Sequence, residues 1–248
     1  MNARKVLGTT IIVATLFAVS LGAQQKSMPY DYPVKPGTTE WKAFTSRDQK
    51  QEACQIPQSI LSSMSTPDLL ETCLNYPLYG DMMAYNSVQE GFDFVKQGFN
   101  GLQELLKRED VGAVLVEKYG KIDPGAIDGN WTSIEKGEYS FKFFSVEILL
   151  AQDAVITNLS KNDRILLLRE SHKKMTEKQQ HPEVYGLVAF TNNALLMGRI
   201  MLKENYAPFV KSVSDDARLK GTLQKAMFIG REYISEIVKH AEKYREEK

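Results

Sequence analysis

Apolar residues recur at helical spacing from residue 46 onward. After Ser87, the residues Phe92, Val95, Phe99, Leu102 and Leu106 follow one another at intervals of three and four, which places them on one helix face. Ser87 and Glu90 frame that helix as a capping box, the hydroxyl taking the Glu90 amide and the carboxylate reaching back. Gly98 and Gly101 interrupt it at a cost of about 1 kcal/mol each, which points to close packing against a neighbouring helix. Ser65-Thr66-Pro67-Asp68 reads as another start, with a hydroxyl cap, a proline in the first turn and an acid behind it; that helix ends before Pro77. A short helix is expected over 111–119. Residues 143–159 and 187–202 are apolar around most of their circumference, so neighbours surround them. Between these two, Ile165, Leu168 and Met175 form a narrower stripe. The last helix follows Ser214-Asp215-Asp216 and carries Ala226, Tyr233, Ile237, Ala241 and Tyr244 on one face, ending in the alternating charges of 239–248.

No strand pattern competes. The run Glu138-Tyr139-Ser140-Phe141-Lys142-Phe143 alternates, but it flanks a helical stretch and suits that helix's first turns. The expectation is an all-α chain of seven or eight helices with short loops. Pair spacings near about 40 residues suggest stacked helical hairpins, an α-α superhelix of the HEAT or armadillo kind. No repeated sequence signature accompanies that spacing, so an irregular helical bundle stays open.

The chain before residue 46 reads differently. Residues 1–23 form a leader: Arg4 and Lys5 precede 18 uncharged residues, Val6 to Ala23, and polarity returns at Gln24. That is the layout of a secretory signal peptide, and cleavage near Gly22 or Ala23 with export to the periplasm or beyond is expected. An uncleaved anchor is the rival, because 18 residues approach the length of a membrane span. Residues 24–45 read as an extended arm. Pro29, Pro33 and Pro36 disfavour helix there, and Tyr30, Tyr32 and Trp41 supply anchors for laying the arm across the folded body. A partner-binding strand is the sharper alternative. Residues 46–248 form the helical domain. The turn-rich stretch 123–137, opening with Asp123-Pro124-Gly125, is the best place for an internal boundary.

Composition narrows the function classes. The whole chain has 31 basic and 31 acidic side chains, and losing Arg4 and Lys5 with the leader leaves 29 against 31. That balance removes the electrostatic case for nucleic acid, which needs a basic face to displace counterions. No later stretch is long and apolar enough to span a membrane. Cys54 and Cys73 are the only cysteines. In an oxidising compartment a bond between them would stabilise by about 3 kcal/mol; their apolar settings favour two buried free thiols.

The chemical motifs are few. There is no nucleophile elbow, no zinc-protease helix, no phosphate loop, no dinucleotide glycine pattern and no C-x-x-C, so no metal and no cofactor are expected. Of the three histidines, His172 suits a partly buried place beside Leu168 and Met175, and His181 suits a capping role before Pro182. His240 shares a helix face with Glu236, more often a surface contact than half a metal site. Glu147 and Asp153 are acids in an apolar helix; such acids sometimes act catalytically and more often pair with a cation, for which Arg164, Arg169 and Arg199 are available. The richest cluster surrounds the helix break at Pro77. There Tyr76, Tyr79, Asp81, Tyr85 and Asn86 combine aromatic surface with amide and acid groups, as a carbohydrate or peptide pocket does. A hairpin corner plugged by tyrosines is the competing reading.

A resemblance reaches the same part of the chain. The strings Ala53-Cys54-Gln55-Ile56-Pro57, Leu74-Asn75-Tyr76-Pro77-Leu78, Ala84-Tyr85-Asn86-Ser87, Gln89-Glu90-Gly91-Phe92 and Phe99-Asn100-Gly101-Leu102-Gln103-Glu104-Leu105-Leu106 resemble a group of exported helical proteins of Bacteroidetes-type bacteria. The lead-in Tyr32-Pro33-Val34-Lys35-Pro36-Gly37-Thr38 and Trp41-Lys42 fit as well. The likeness covers about residues 30–120; it implies export and helical structure and brings no catalytic residue. The resulting expectation is an exported, non-catalytic helical scaffold that binds a protein or peptide. A hydrolase with a carboxylate pair and a structural envelope component are the alternatives.

Overall fold

A computed structural model describes residues 28–226 and 230–247; the expected leader, 1–23, and the first residues of the arm, 24–27, lie outside the described residues. The arm starts as extended chain, as its prolines require, and it is tied to the body. The Tyr30 amide donates to Thr72 Oγ1 at 2.8 Å and the Tyr32 hydroxyl to the Thr72 carbonyl at 3.0 Å. Tyr32 is buried beside Tyr76 and Phe99. The arm is not extended throughout. Gly37, with φ of 95°, turns the chain, and Thr38 caps a short helix, α1 (Thr39–Ala43), by accepting from the Trp41 amide at 3.2 Å.

Helices α2 (Arg47–Ala53), α3 (Gln58–Ser63) and α4 (Thr66–Leu74) follow. Ser46 and Gln49 close a reciprocal capping box on α2, and Ser65 caps α4 through the Asp68 amide. A 3-10 turn, Tyr79–Ala84, leads to α5 (Val88–Gly98) and α6 (Asn100–Leu105). The pattern of apolar residues predicts one helix here, and two are present because Phe99 is extended, at φ −133° and ψ 115°. The Gln55 side chain satisfies backbone groups that this break frees, and the Asn100 side chain in return holds the backbone of Ile56. Gln55 donates to the Gly98 carbonyl at 2.9 Å and accepts from the Asn100 amide at 3.1 Å; Asn100 donates to the Ile56 carbonyl at 2.8 Å and accepts from its amide at 3.1 Å. The glycines admit neighbours, since a Cβ at Gly98 would lie 2.5 Å from Gln51 and one at Gly101 2.3 Å from the Phe99 ring.

After α7 (Val111–Lys121), the loop leads to α8 (Ser133–Leu150), begun by a capping box between Thr132 and Glu135. The alternating run 138–143 is helical within it. A break at Ala151 and Gln152 separates α9 (Asp153–Asn158), and α10 (Lys161–Lys178), α11 (Leu187–Lys203) and α12 (Ala207–Asp215) follow. The expected last helix is divided into α13 (Ala217–Lys225) and α14 (Arg231–Glu247). Ala226 takes a left-handed conformation, φ 48°, and ends α13. No strand occurs among the described residues.

The fold is all-α, and its centre is α11. That helix packs against α8, α9, α10, α12, α13 and α14, which explains why it is apolar on every side. In a solenoid each hairpin touches only its neighbours in sequence. Here α13 reaches back to α5: the Val88 amide donates to the Ala226 carbonyl at 3.1 Å, and Ser87 Oγ donates to the Lys225 carbonyl. The arrangement is therefore a bundle around one helix. One continuous cluster of buried side chains, from Tyr32 to Tyr244, includes residues on both sides of 123–137.

Candidate functional site

The five residues singled out around Pro77 separate into two groups. Tyr76 and Tyr79 lie in the core. The Tyr76 ring stacks on Phe99 at 3.9 Å between centroids, and its buried hydroxyl has no partner among the described residues. The Tyr79 hydroxyl donates to the Ser145 carbonyl at 3.3 Å. Burial pushes both phenols above their ordinary range. Asp81 and Tyr85 are half-buried and meet through a cation: Asp81 accepts from Arg47 at 2.8 Å, and the guanidinium lies 4.3 Å over Phe94, whose ring is 5.0 Å from Tyr85. Asn86 is exposed.

Glu147 and Asp153 do not form a carboxylate pair. Asp153 is exposed on α9, whereas Glu147 is wholly buried on α8. The partner of Glu147 is none of the three arginines but Lys178, equally buried, at 2.7 Å. Tyr119 also donates to Glu147, at 2.8 Å; Lys178 donates to Asn193 Oδ1 at 2.6 Å; and Asn193 donates to the Tyr119 oxygen at 2.9 Å. Phe143 and Tyr185 cover the lysine, with its Nζ 4.7 and 5.8 Å from their ring centroids. Burial raises the Glu147 pKa and lowers that of Lys178, against the pull of their mutual attraction. The network fastens α7, α8, α10 and α11 together in the interior, and neither charge reaches solvent. Lys178 had a signal in the sequence, because it extends the Leu168 and Met175 stripe by one step. Asn193 had one too, as an amide amid apolar residues.

The arginines fasten helix ends. Arg164 donates to Glu204 at 2.5 Å and to the last carbonyls of α9. Arg199 donates to the Ala151 carbonyl at 2.8 Å, to the Leu223 carbonyl at 3.0 Å and to Gln89 at 3.0 Å. His172 contacts Glu242 and Arg245, each at 3.3 Å, and His181 contacts Glu183 at 3.5 Å. The ring of His240 meets Ser212 at 3.1 Å, and burial lowers its pKa. Cys54 and Cys73 are buried free thiols. No cluster of three or more His, Cys, Asp or Glu suited to a metal occurs among the described residues.

The surface feature with the chemistry of a site is a groove of about 510 Å³. It is bounded by α4, α7, the loop after α7 and the middle of α8. Tyr139, Phe141 and Leu74 give it an apolar floor, and Glu71, Lys118, Lys121, Asp123 and Lys142 stand around it. Its loop wall is held by three side chains that donate to successive carbonyls: Lys174 to Ile122, Tyr139 to Asp123 at 2.6 Å, and Tyr185 to Pro124 at 3.0 Å. A second depression, about 520 Å³, lies between the arm and the 75–77 turn, with Pro29, Tyr30, Pro36 and Pro77 in its walls. Asn75 lines both, so the two adjoin there. Asn75 is exposed, and its Nδ2 donates to the Glu71 carbonyl at 2.9 Å, which leaves the amide oxygen as an acceptor. No helix among the described residues is long and apolar enough to cross a membrane. No family model, no curated protein and no solved structure matches this chain.

Proposed function

We propose that this protein is an exported helical scaffold that holds an extended segment of another protein in the track running from the arm, past Asn75, to Tyr139 and Phe141. The meeting of the two depressions at Asn75 carries the reading. Extended chains are recognised by grooves that pair aromatic or proline walls with a few polar groups, and this track offers both. Its back wall is rigid, because α7 and α8 are locked by the buried Glu147 network and the loop by three side-chain hydrogen bonds. A preformed surface loses less entropy on binding than one that must order itself. Export rests on the composition of residues 1–23.

The test is site-specific cross-linking. A photoreactive amino acid is placed at Asn75 and, in a control, at Leu166, an exposed α10 residue that lines neither depression. The reading expects a defined protein adduct from position 75 in the intact envelope and none from position 166. The same adducts at both positions, or none at 75, would remove it.

A further inference from the structure

Taking the groove reading as its basis, we infer that the segment bound beside Tyr139 is acidic. The groove contains charges of both signs, with three lysines, Lys118, Lys121 and Lys142, against two acids, Glu71 and Asp123. Glu71 is engaged by Lys118 in an ion pair between α4 and α7. Asp123 Oδ1 accepts from the Gly125 amide at 2.8 Å, inside its own turn. The loop carbonyl of Ile122 is occupied by Lys174. One oxygen of each acid and the Ile122 carbonyl therefore already have donors.

The cations are less committed. Lys142 is exposed, has no ion pair among the described residues and places its ammonium 5.5 Å from the centre of the Tyr139 ring. Lys121 pairs only with Glu117 on its own helix, with side chains 71% and 66% exposed. Such a pair contributes little, and a ligand carboxylate replaces it without stranding a buried charge. Two lysines that can accept a new partner thus flank an aromatic floor. The matching ligand is an extended peptide with carboxylates on either side of an apolar or aromatic side chain. Long-range attraction from these exposed lysines is screened by salt, so the affinity must fall with ionic strength.

The experiment uses the protein expressed with its own leader and three fluorescent dodecapeptides of repeating Glu-Tyr-Gly, Gln-Tyr-Gly and Lys-Tyr-Gly, with oligothymidylate of similar length. Anisotropy should show the acidic peptide binding about tenfold more tightly than its glutamine form, an advantage that vanishes in high salt. The exposed substitutions Lys121→Glu and Lys142→Glu together should abolish the preference while leaving helix content unchanged. Equal binding of the glutamic and glutamine peptides, both weakened by Tyr139→Ala, would overturn the acidic assignment and leave the groove reading standing. Failure of every peptide would overturn both. Tighter binding of oligothymidylate, or an acidic preference that survives the double substitution, would overturn the inference.

Discussion

The Lys178 ammonium lies 2.7 Å from the Glu147 carboxylate, and neither side chain is accessible to solvent. Removing one charge leaves the other buried without a counter-charge. Lys178→Met should therefore destabilise the protein by about 3–5 kcal/mol, whereas the double variant Lys178→Met with Glu147→Leu should recover most of that loss. Urea unfolding of the three proteins measures it. A single variant as stable as the native chain would mean that the pair is not sealed from water.

Two buried tyrosines should respond in opposite ways to loss of the hydroxyl. Tyr76 has no hydrogen-bond partner for its oxygen among the described residues, so Tyr76→Phe removes a desolvated polar atom and should be neutral or stabilising by up to about 1–2 kcal/mol. Tyr119 donates to Glu147 and accepts from Asn193, so Tyr119→Phe should cost about 1–3 kcal/mol. Thermal melts of the two variants give the comparison.

Glycines on two helices should likewise part company. A Cβ at Gly91 would sit 2.1 Å from the Met82 carbonyl oxygen, a backbone atom that cannot move aside, so Gly91→Ala should destabilise by about 1–3 kcal/mol. Gly137, on α8, has nothing within 4 Å of that position. There the better helix propensity of alanine acts alone, and Gly137→Ala should stabilise by up to about 1 kcal/mol. Denaturant midpoints of the pair decide.

Alkali should unfold the protein through its buried acids. Burial pushes the Cys54 thiol up to about 11 and raises Cys73, Tyr32, Tyr76, Tyr79 and Tyr119. The folded state keeps these protons at a pH where the unfolded chain has lost them. Their stabilising effect is complete below the unfolded values, about 8.5 for thiols and about 10 for phenols, and declines as pH rises towards the folded ones. The urea midpoint should fall from about pH 9 upward. Both thiols should also resist a disulfide reagent near pH 8 until the chain is unfolded. A midpoint constant to pH 11 would contradict this account.

Much of the helical structure was legible because caps and stripes are local. The Ser65 cap, the Asp216 cap and the all-round apolarity of α11 each follow from a few neighbouring residues. Breaks inside apolar runs were hidden, since distant groups make them tolerable. Phe99 leaves the helix where Gln55 bonds the Gly98 carbonyl and the Asn100 amide, and Gln55 lies 45 residues from Asn100 in sequence. The Ser87 box is half present: Ser87 takes the Glu90 amide, while its own hydroxyl donates to Lys225. The Tyr76 and Tyr79 rings were visible as a cluster, but which way they face depends on Phe99 and on Ser145, from other parts of the chain. The groove was less legible still. Asn75, Lys121, Tyr139 and Lys142 come from three segments and share no motif.

The bonds from Ser87 and Val88 to Lys225 and Ala226 also set a timetable. A chain made from its N-terminus presents α5 long before α13 exists. Until residue 226 arrives, the start of α5 lacks both partners, and α11 lacks the helices that enclose it from the C-terminal side. The early segments must therefore wait, incompletely buried, for the end of the chain. A protein closed by its last helices gains its final shape only once those helices have been made.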